Sequence, residues 1–328
     1  MKQVSRTSQV FAGTDGGVRL ILIFLLVIVV AGLGAGLFLW VRKGQVDNAG
    51  LFTTKIKYPE VLLLEDFQRP MDRDLTEQLI AFERTGVSKF IDGNVLKPFF
   101  DDVNTRRLTL EGGELRPEQF PDRQDLQRIV DDCARILGIP KPRVFIRDTG
   151  EMNVYAANMA EPVIVVSSSF LRIFSDSAEL RFVIGHEMGH IKCRHVKWKA
   201  VLNAVVESLR RLPAVPEEVS LLPYLPLFKW AREAEMSADN AGLICCQDLK
   251  AAERALVRLV LGLDDKTIGR INVDAFLKQR ESENLSKFSE AIIYWRQLLK
   301  EQPFIADRIL ELRKYEQSRQ YQHLWEGL

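Results

Sequence analysis

Apolar and polar positions change their rhythm several times along the chain. From Leu20 to Val41 the run LILIFLLVIVVAGLGAGLFLWV holds 22 residues without a charge. That length crosses a hydrocarbon core of about 30 Å as a single helix. Arg19 and the pair Arg42 and Lys43 bracket it, and Trp40 stands where an interfacial aromatic belongs. The run is too long for a signal peptide, and no small-residue cleavage site follows it. Residues 44–114 are mixed and charged, with DLTEQLIAFERTGV predicting a helix and LEGGELRP a turn-rich boundary.

From Pro117 the pattern becomes more regular. DLQRIVDDCARILG places Leu126, Ile129, Val130, Cys133, Ile136 and Leu137 on one stripe of a helix closed by Gly138. Three short strands follow: RVFI, NVYAANM and VIVV. SDSAELRF then offers Asp176 as a helix N-cap with Glu179 three residues on. No proline interrupts the chain from there to Lys199. After residue 245 almost everything has helical spacing. The expected fold class is α+β, mostly helical, with a small sheet beside the helix that starts near Asp176, preceded by one transmembrane helix.

Composition narrows the functional classes. The formal net charge of +1 and the lack of a basic patch with interleaved aromatics give no reason to expect a nucleic-acid partner. The four cysteines form no disulfide framework, which favours a reducing compartment and a catalytic part on the cytoplasmic side. Three basic residues precede the apolar span and four follow it before Pro59, so charge asymmetry does not choose the orientation.

Histidine is scarce, and three of the four lie in FVIGHEMGHIKCRH, residues 182–195. In so His-poor a chain an accidental HExxH arises in roughly a few sequences per thousand. On one helix His186 and His190 stack on the same face, close enough for both imidazoles to hold one zinc ion per chain. Glu187 projects beside the metal and can take a proton from the attacking water. A catalytic zinc needs a third protein ligand. Cys193 lies one turn past His190. The better candidate is in REAEMSADNAGL, where Glu235 and Asp239 are four apart on a second helix. Glu235 supplies the carboxylate ligand and Asp239 can bond the free ring nitrogen of a zinc histidine, leaving Cys193 as a core residue.

HEMGH followed by EMSAD resembles the zinc peptidases that include the bacterial heat-shock protease HtpX and the CAAX prenyl protease. Asn153, Val154, Tyr155 and Ala156 resemble that family's edge-strand motif, on which a substrate peptide adds itself as a further strand. Arg232 matches an arginine before the third ligand, and His195 an extra histidine that is not a ligand. QPFIADRILEL resembles a family motif beginning His-Pro. Pro303 and Arg308 match it, whereas Gln302 stands in place of the histidine. The resemblance implies that Arg308 and residue 302 help stabilise the oxyanion. It covers roughly residues 115–315.

The organisation expected is therefore a tail (1–19), a membrane helix (20–41), an accessory or membrane-proximal region (44–114), a zinc metallopeptidase domain (115–315) and a C-terminal tail (316–328). The implied activity is endopeptidase cleavage of membrane or membrane-proximal polypeptides, anchored to lipid through residues 20–41. The alternatives are a non-catalytic assembly factor that keeps the zinc fold, or a zinc hydrolase of another amide. Between the ligand helices lies an insertion, residues 191–234. Trp198, Val201, Leu202, Val205, Val206 and Leu209 give it an apolar face with Lys197, Lys199, Arg210 and Arg211 around it. VSLLPYLPLFKW is apolar but broken by Pro223 and Pro226, so the segment is a lid or dips into the bilayer surface.

Overall fold

The computed structural model describes residues 62–84, 103–116, 124–157, 161–174, 176–210, 221–263, 265–268, 270–282, 293 and 297–326. The apolar run 20–41 and residues 211–220 of the insertion lie outside them. Among the described residues no helix is long and apolar enough to cross a membrane. The chain divides into two compact units, one made of Met1–Thr53 with Leu202–Pro223 and the other of Thr54–Val201 with Tyr224–Leu328. The larger unit carries both five-residue motifs, HEMGH and EMSAD.

Its elements in chain order are α1 (Pro70–Glu83), α2 (Val103–Glu111), β1 (Gly112–Glu114), α3 (Gln124–Leu137), β2 (Arg143–Arg147), β3 (Val154–Ala157), β4 (Val163–Ser167), α4 (Ser168–Ile173) and α5 (Ser177–Lys192). Then come α6 (His195–Arg210), within which the unit boundary falls, α7 (Leu225–Cys246), α8 (Leu249–Leu261), α9 (Asp265–Ile268), α10 (Val273–Ser282), α11 (Ile305–Glu316) and α12 (Arg319–His323). The fold is mostly helical with one small mixed sheet, order β1-β2-β4-β3. β2 and β4 are parallel, whereas β1 and β3 run antiparallel to their neighbours.

The central strand β4 is buried at every residue, as an apolar run covered on both faces must be. Ile164 and Val166 join the main core with α3, α5 and α8, while Val163 and Val165 pack with Phe145 and with Leu108 of α2. β1 corrects the turn-rich reading of LEGGELRP. Gly112–Glu114 pairs with Phe145–Arg147, so this stretch extends the sheet. Three residues are too few for a period-2 pattern to appear in the sequence.

α5 starts where the pattern placed it. Asp176 Oδ1 accepts from the N–H groups of Ala178 at 2.8 Å and Glu179 at 3.2 Å. Glu179 turns away from the reciprocal capping bond and pairs with Arg254 and Arg258 of α8. The helix stops at Lys192, short of Lys199, because Arg194 adopts a left-handed turn (φ 63°) and α6 begins afresh at His195. No glycine marks this break, so the sequence hides it.

Small residues bring α5 and α7 together. A methyl group on Gly185 would lie 2.6 Å from Cβ of Cys245, one on Gly189 2.7 Å from Cβ of Ala241, and one on Gly242 2.7 Å from the carbonyl oxygen of Phe182. The two helix backbones therefore touch along the faces that carry HEMGH and EMSAD. Pro226 does not break the second of these helices. It occupies the first turn of α7, where its missing N–H costs nothing.

Candidate metal centre

Close packing of α5 on α7 aims three side chains at one point. The ligand atoms of His186, His190 and Glu235 all lie within 4.8 Å of one another, and all three residues are buried. Glu235 Oε2 is 3.6 Å from His186 Nε2, and Oε1 is 3.3 Å from His190 Nε2. Two imidazole nitrogens and a carboxylate are the donor set of a catalytic zinc site with one position left open. The geometry also shows a demand for positive charge. Lys199 of α6 donates from Nζ to Glu235 Oε1 at 2.5 Å and lies 3.3 Å from His190 Nε2. The residues present fit a divalent cation.

Charges behind the cluster hold it ready. Burial raises the pKa of Glu235, but Lys199, His190 and Arg308 more than offset that and hold it well below the usual carboxylate range. Burial pushes His190 well below the usual imidazole value, aided by Lys199, so its ring is a neutral ligand. His186 Nδ1 meets Asp239 Oδ1 at 2.9 Å. Arg308 of α11 grips that same carboxylate with both arms of its fork, Nε to Oδ2 at 2.7 Å and Nη2 to Oδ1 at 2.6 Å, and its Nη1 lies 3.6 Å from Glu235 Oε2. Burial opposes its charge, yet Asp239 and Glu235 keep its pKa above the ordinary value.

Glu187 projects from the next position of α5 toward the sheet edge. Its Oε2 accepts the backbone N–H of Ala156 at 2.7 Å. Burial pushes its carboxyl pKa up, with His186, Lys199 and the Ala156 N–H pulling the other way. Among the described residues β3 pairs only with β4, so Val154, Tyr155 and Ala156 lie on an edge beside Glu187. Asn153, just before the strand, exchanges bonds with Ser167 through its N–H and its carbonyl.

Other sequence candidates fall elsewhere. Gln302 is exposed, its carbonyl accepts from Gln297 Nε2 at 2.7 Å, and no described hydrogen bond joins its side chain to the cluster. Arg232 donates to the carbonyls of Leu298 at 2.9 Å and Lys300 at 3.0 Å, tying down the chain ahead of α11. Cys193 groups with Asp72 and His195 rather than with His186, His190 and Glu235. Burial and Asp72 push its thiol pKa well above the ordinary value. Trp198 and Phe228, candidates for bilayer contact, are both buried, and Trp198 Nε1 donates to Glu83 at 3.1 Å.

Sequence reasoning missed two contributors. Lys199 reads as one of several basic residues rimming an apolar face, and nothing local says that it turns inward. Asp72 lies in a region whose role the sequence does not disclose.

The site belongs to a metallopeptidase, and sequence comparison places the chain in a family. Residues 121–316 match the model of peptidase family M48, so the chain belongs to that family. It is an HtpX-like zinc metallopeptidase and a hydrolase of peptide bonds. It is similar to the plastoglobule-localized metallopeptidase 48 of Arabidopsis thaliana chloroplasts, 28% identical over 266 residues, covering 80% of this chain and 69% of that protein. A shorter stretch resembles the protease HtpX homolog of Streptococcus pneumoniae strain Hungary19A-6, 33% identical over 90 residues, covering 27% of this chain and 30% of that protein. The HtpX homolog of Streptococcus thermophilus is 30% identical over 98 residues, 30% of this chain and 33% of its own length.

Proposed function

We propose that this chain is an endopeptidase in which His186, His190 and Glu235 hold one zinc ion and Glu187 is the general base. The observation that carries the reading is the convergence of those three buried ligand groups beside a fourth, Glu187, whose carboxyl is pushed up by burial. A zinc ion bound there supplies a Lewis acid for the scissile carbonyl and acidifies the attacking water. Glu187, its basicity raised by burial, takes the proton from that water and returns it to the leaving amine. A substrate strand lying along β3, the edge of Val154, Tyr155 and Ala156 that Asn153 ties to Ser167, pairs through its backbone, which binds polypeptide of any sequence. The Ala156 N–H is spent on Glu187 and so sets the base against the edge on which the substrate lies.

Arg308 acts from behind the site. Its fork is spent on Asp239 and Glu235, so it positions them, and any help to the oxyanion passes through those groups. Gln302 has no part in this reading beyond the bend that leads into α11. Residues 20–41 anchor the chain in the membrane by one helix, with the peptidase acting on membrane or membrane-proximal proteins from the cytoplasmic side.

The test is peptide cleavage by the full chain in detergent, with zinc content measured alongside. Glu187→Gln should keep one zinc per chain and lose about a hundredfold or more of turnover. Glu235→Ala should lose the metal itself. Full zinc in Glu235→Ala would refute the ligand assignment, and an active Glu187→Gln would refute the base. Release of the full chain from membranes by alkaline carbonate would refute the anchor.

A further inference from the structure

His190 has a second hydrogen-bonded chain behind it, whose last member the peptidase domain alone does not supply. Its Nδ1 lies 2.9 Å from Nδ1 of His195, and His195 Nε2 lies 3.0 Å from Oδ2 of Asp72. His195 and Asp72 are wholly buried. Asp72 comes from α1, outside the matched residues 121–316 and 123 positions before His195. From this geometry we propose that Asp72 positions the metal ligand His190 through His195, as a relay that sets which ring nitrogens carry protons. The inference rests on the zinc reading above, in which His190 offers Nε2 to the metal.

Proton bookkeeping leaves one consistent arrangement. A neutral His190 with its Nε2 lone pair free must carry its proton on Nδ1, and that N–H donates to Nδ1 of His195. His195, accepting on Nδ1, must then carry its proton on Nε2 and donate it to Asp72. An acceptor with no proton of its own is needed at the end of this chain, and an ionised carboxylate is one. Asp72 is held in that form and in place by three neighbours. Gln68 Nε2 donates to Oδ2 at 3.0 Å, Thr76 Oγ1 to Oδ1 at 3.0 Å, and the Ser237 hydroxyl also bonds it. Trp230 Nε1 in turn donates to Thr76 Oγ1 at 2.9 Å and stacks edge-on against His195.

The two zinc histidines thus end on carboxylates in two ways. His186 reaches Asp239 directly, whereas His190 reaches Asp72 through one more ring. The left-handed turn at Arg194 makes this possible. Had α5 continued, residue 195 would lie five positions on, about 140° around the helix from His190. The turn folds His195 back behind it, and Arg194 itself is tied to Glu83 of α1 at 3.1 Å. Part of the region before residue 115 is thereby built into the metal centre.

The experiment compares the full chain with Asp72→Asn, His195→Gln and the double variant. Zinc affinity is measured by chelator competition, apo-protein folding by circular dichroism, and kcat and KM by peptide cleavage. An amide at position 72 lacks the charge and accepts through one oxygen only, whereas a carboxylate accepts on both. The expected loss for Asp72→Asn is about tenfold to a hundredfold in zinc affinity, with kcat at sub-saturating zinc falling in step and KM unchanged. Because Asp72 acts through His195, the double variant should lose no more than His195→Gln alone. Should Asp72→Asn fail to fold, Gln68→Met removes one bond to the same oxygen and should weaken zinc by about threefold to tenfold. Wild-type zinc affinity in a folded Asp72→Asn, or in Gln68→Met where that variant is used, or losses that multiply in the double variant, would overturn the relay. Wild type that binds no zinc would instead refute the zinc reading on which it rests.

Discussion

Gly189 sits inside HEMGH, in the middle of α5, and its replacement by alanine tests how the metal centre is held. Helix propensity favours Gly189→Ala by about 1 kcal/mol. Packing opposes it. The new methyl would lie 2.7 Å from Cβ of Ala241 and 3.2 Å from Cα of Ala238. Carbon atoms in contact sit about 3.5–4.0 Å apart, so α5 and α7 must part by on the order of 1 Å. Neither neighbour has a side-chain torsion that can yield, which places the strain near the top of the overpacking range, about 3 kcal/mol. The net expectation is a loss of about 2 kcal/mol, or roughly 3 °C in Tm for a chain of this size. Glu235 lies one turn from Ala238 on the helix that is pushed away. Ligand distances tolerate about 0.2 Å, so zinc affinity should fall by about tenfold or more. Thermal melts with and without zinc, together with chelator titration, read both effects. Gly189→Ala combined with Ala241→Gly removes the closer clash and should recover most of the loss. A Cβ at Gly150 meets nothing within 4 Å, so Gly150→Ala serves as the neutral control. If Gly189→Ala melts at or above wild type and holds zinc as tightly, the close approach does not position the ligands.

Lys199 competes with the metal for Glu235, since Nζ to Oε1 is 2.5 Å. Lys199→Met should tighten zinc binding by about tenfold, the worth of one charge-assisted hydrogen bond of about 1.5 kcal/mol, and weaker binding in chelator titration would refute this. A separate prediction concerns acid stability. Burial raises the pKa of Glu311, but hydrogen bonds from Lys314 and Arg69 hold it below its ordinary value. A depressed carboxyl stabilises the fold above its unfolded pKa of about 4.3 and loses that contribution as pH falls through the folded value. The advantage of wild type over Arg69→Gln in urea unfolding should therefore be level near neutrality and shrink below about pH 4. It should stay under about 1 kcal/mol, because Arg69 and Glu311 are partly exposed. A difference that grows on acidification would show the sign to be wrong.

What local pattern determines was legible in the chain. The stripe of α3, the apolar run of β4, the cap at Asp176 and the four-residue spacings of HEMGH and EMSAD each depend on neighbours within one or two turns. Hence the helix carrying His186, Glu187 and His190, and the helix carrying Glu235 and Asp239, could both be placed from sequence. The break at Arg194 was hidden because a residue other than glycine takes the left-handed turn, a conformation supported by contacts distant in sequence. β1 was hidden because three residues carry no period.

The sequence by itself determined the donor chemistry, since residue types four apart on a helix share a face whatever surrounds them. Only the tertiary structure decided which groups stand behind those donors. Arg308 is spent on Asp239, Gln302 lies at the surface, Lys199 turns inward, and Asp72 reaches His190 through His195. These pairings join positions far apart in the chain. They depend on how closely α5 meets α7 and where α1 and α11 pack against α7, and no local rhythm of apolar and polar residues encodes those contacts.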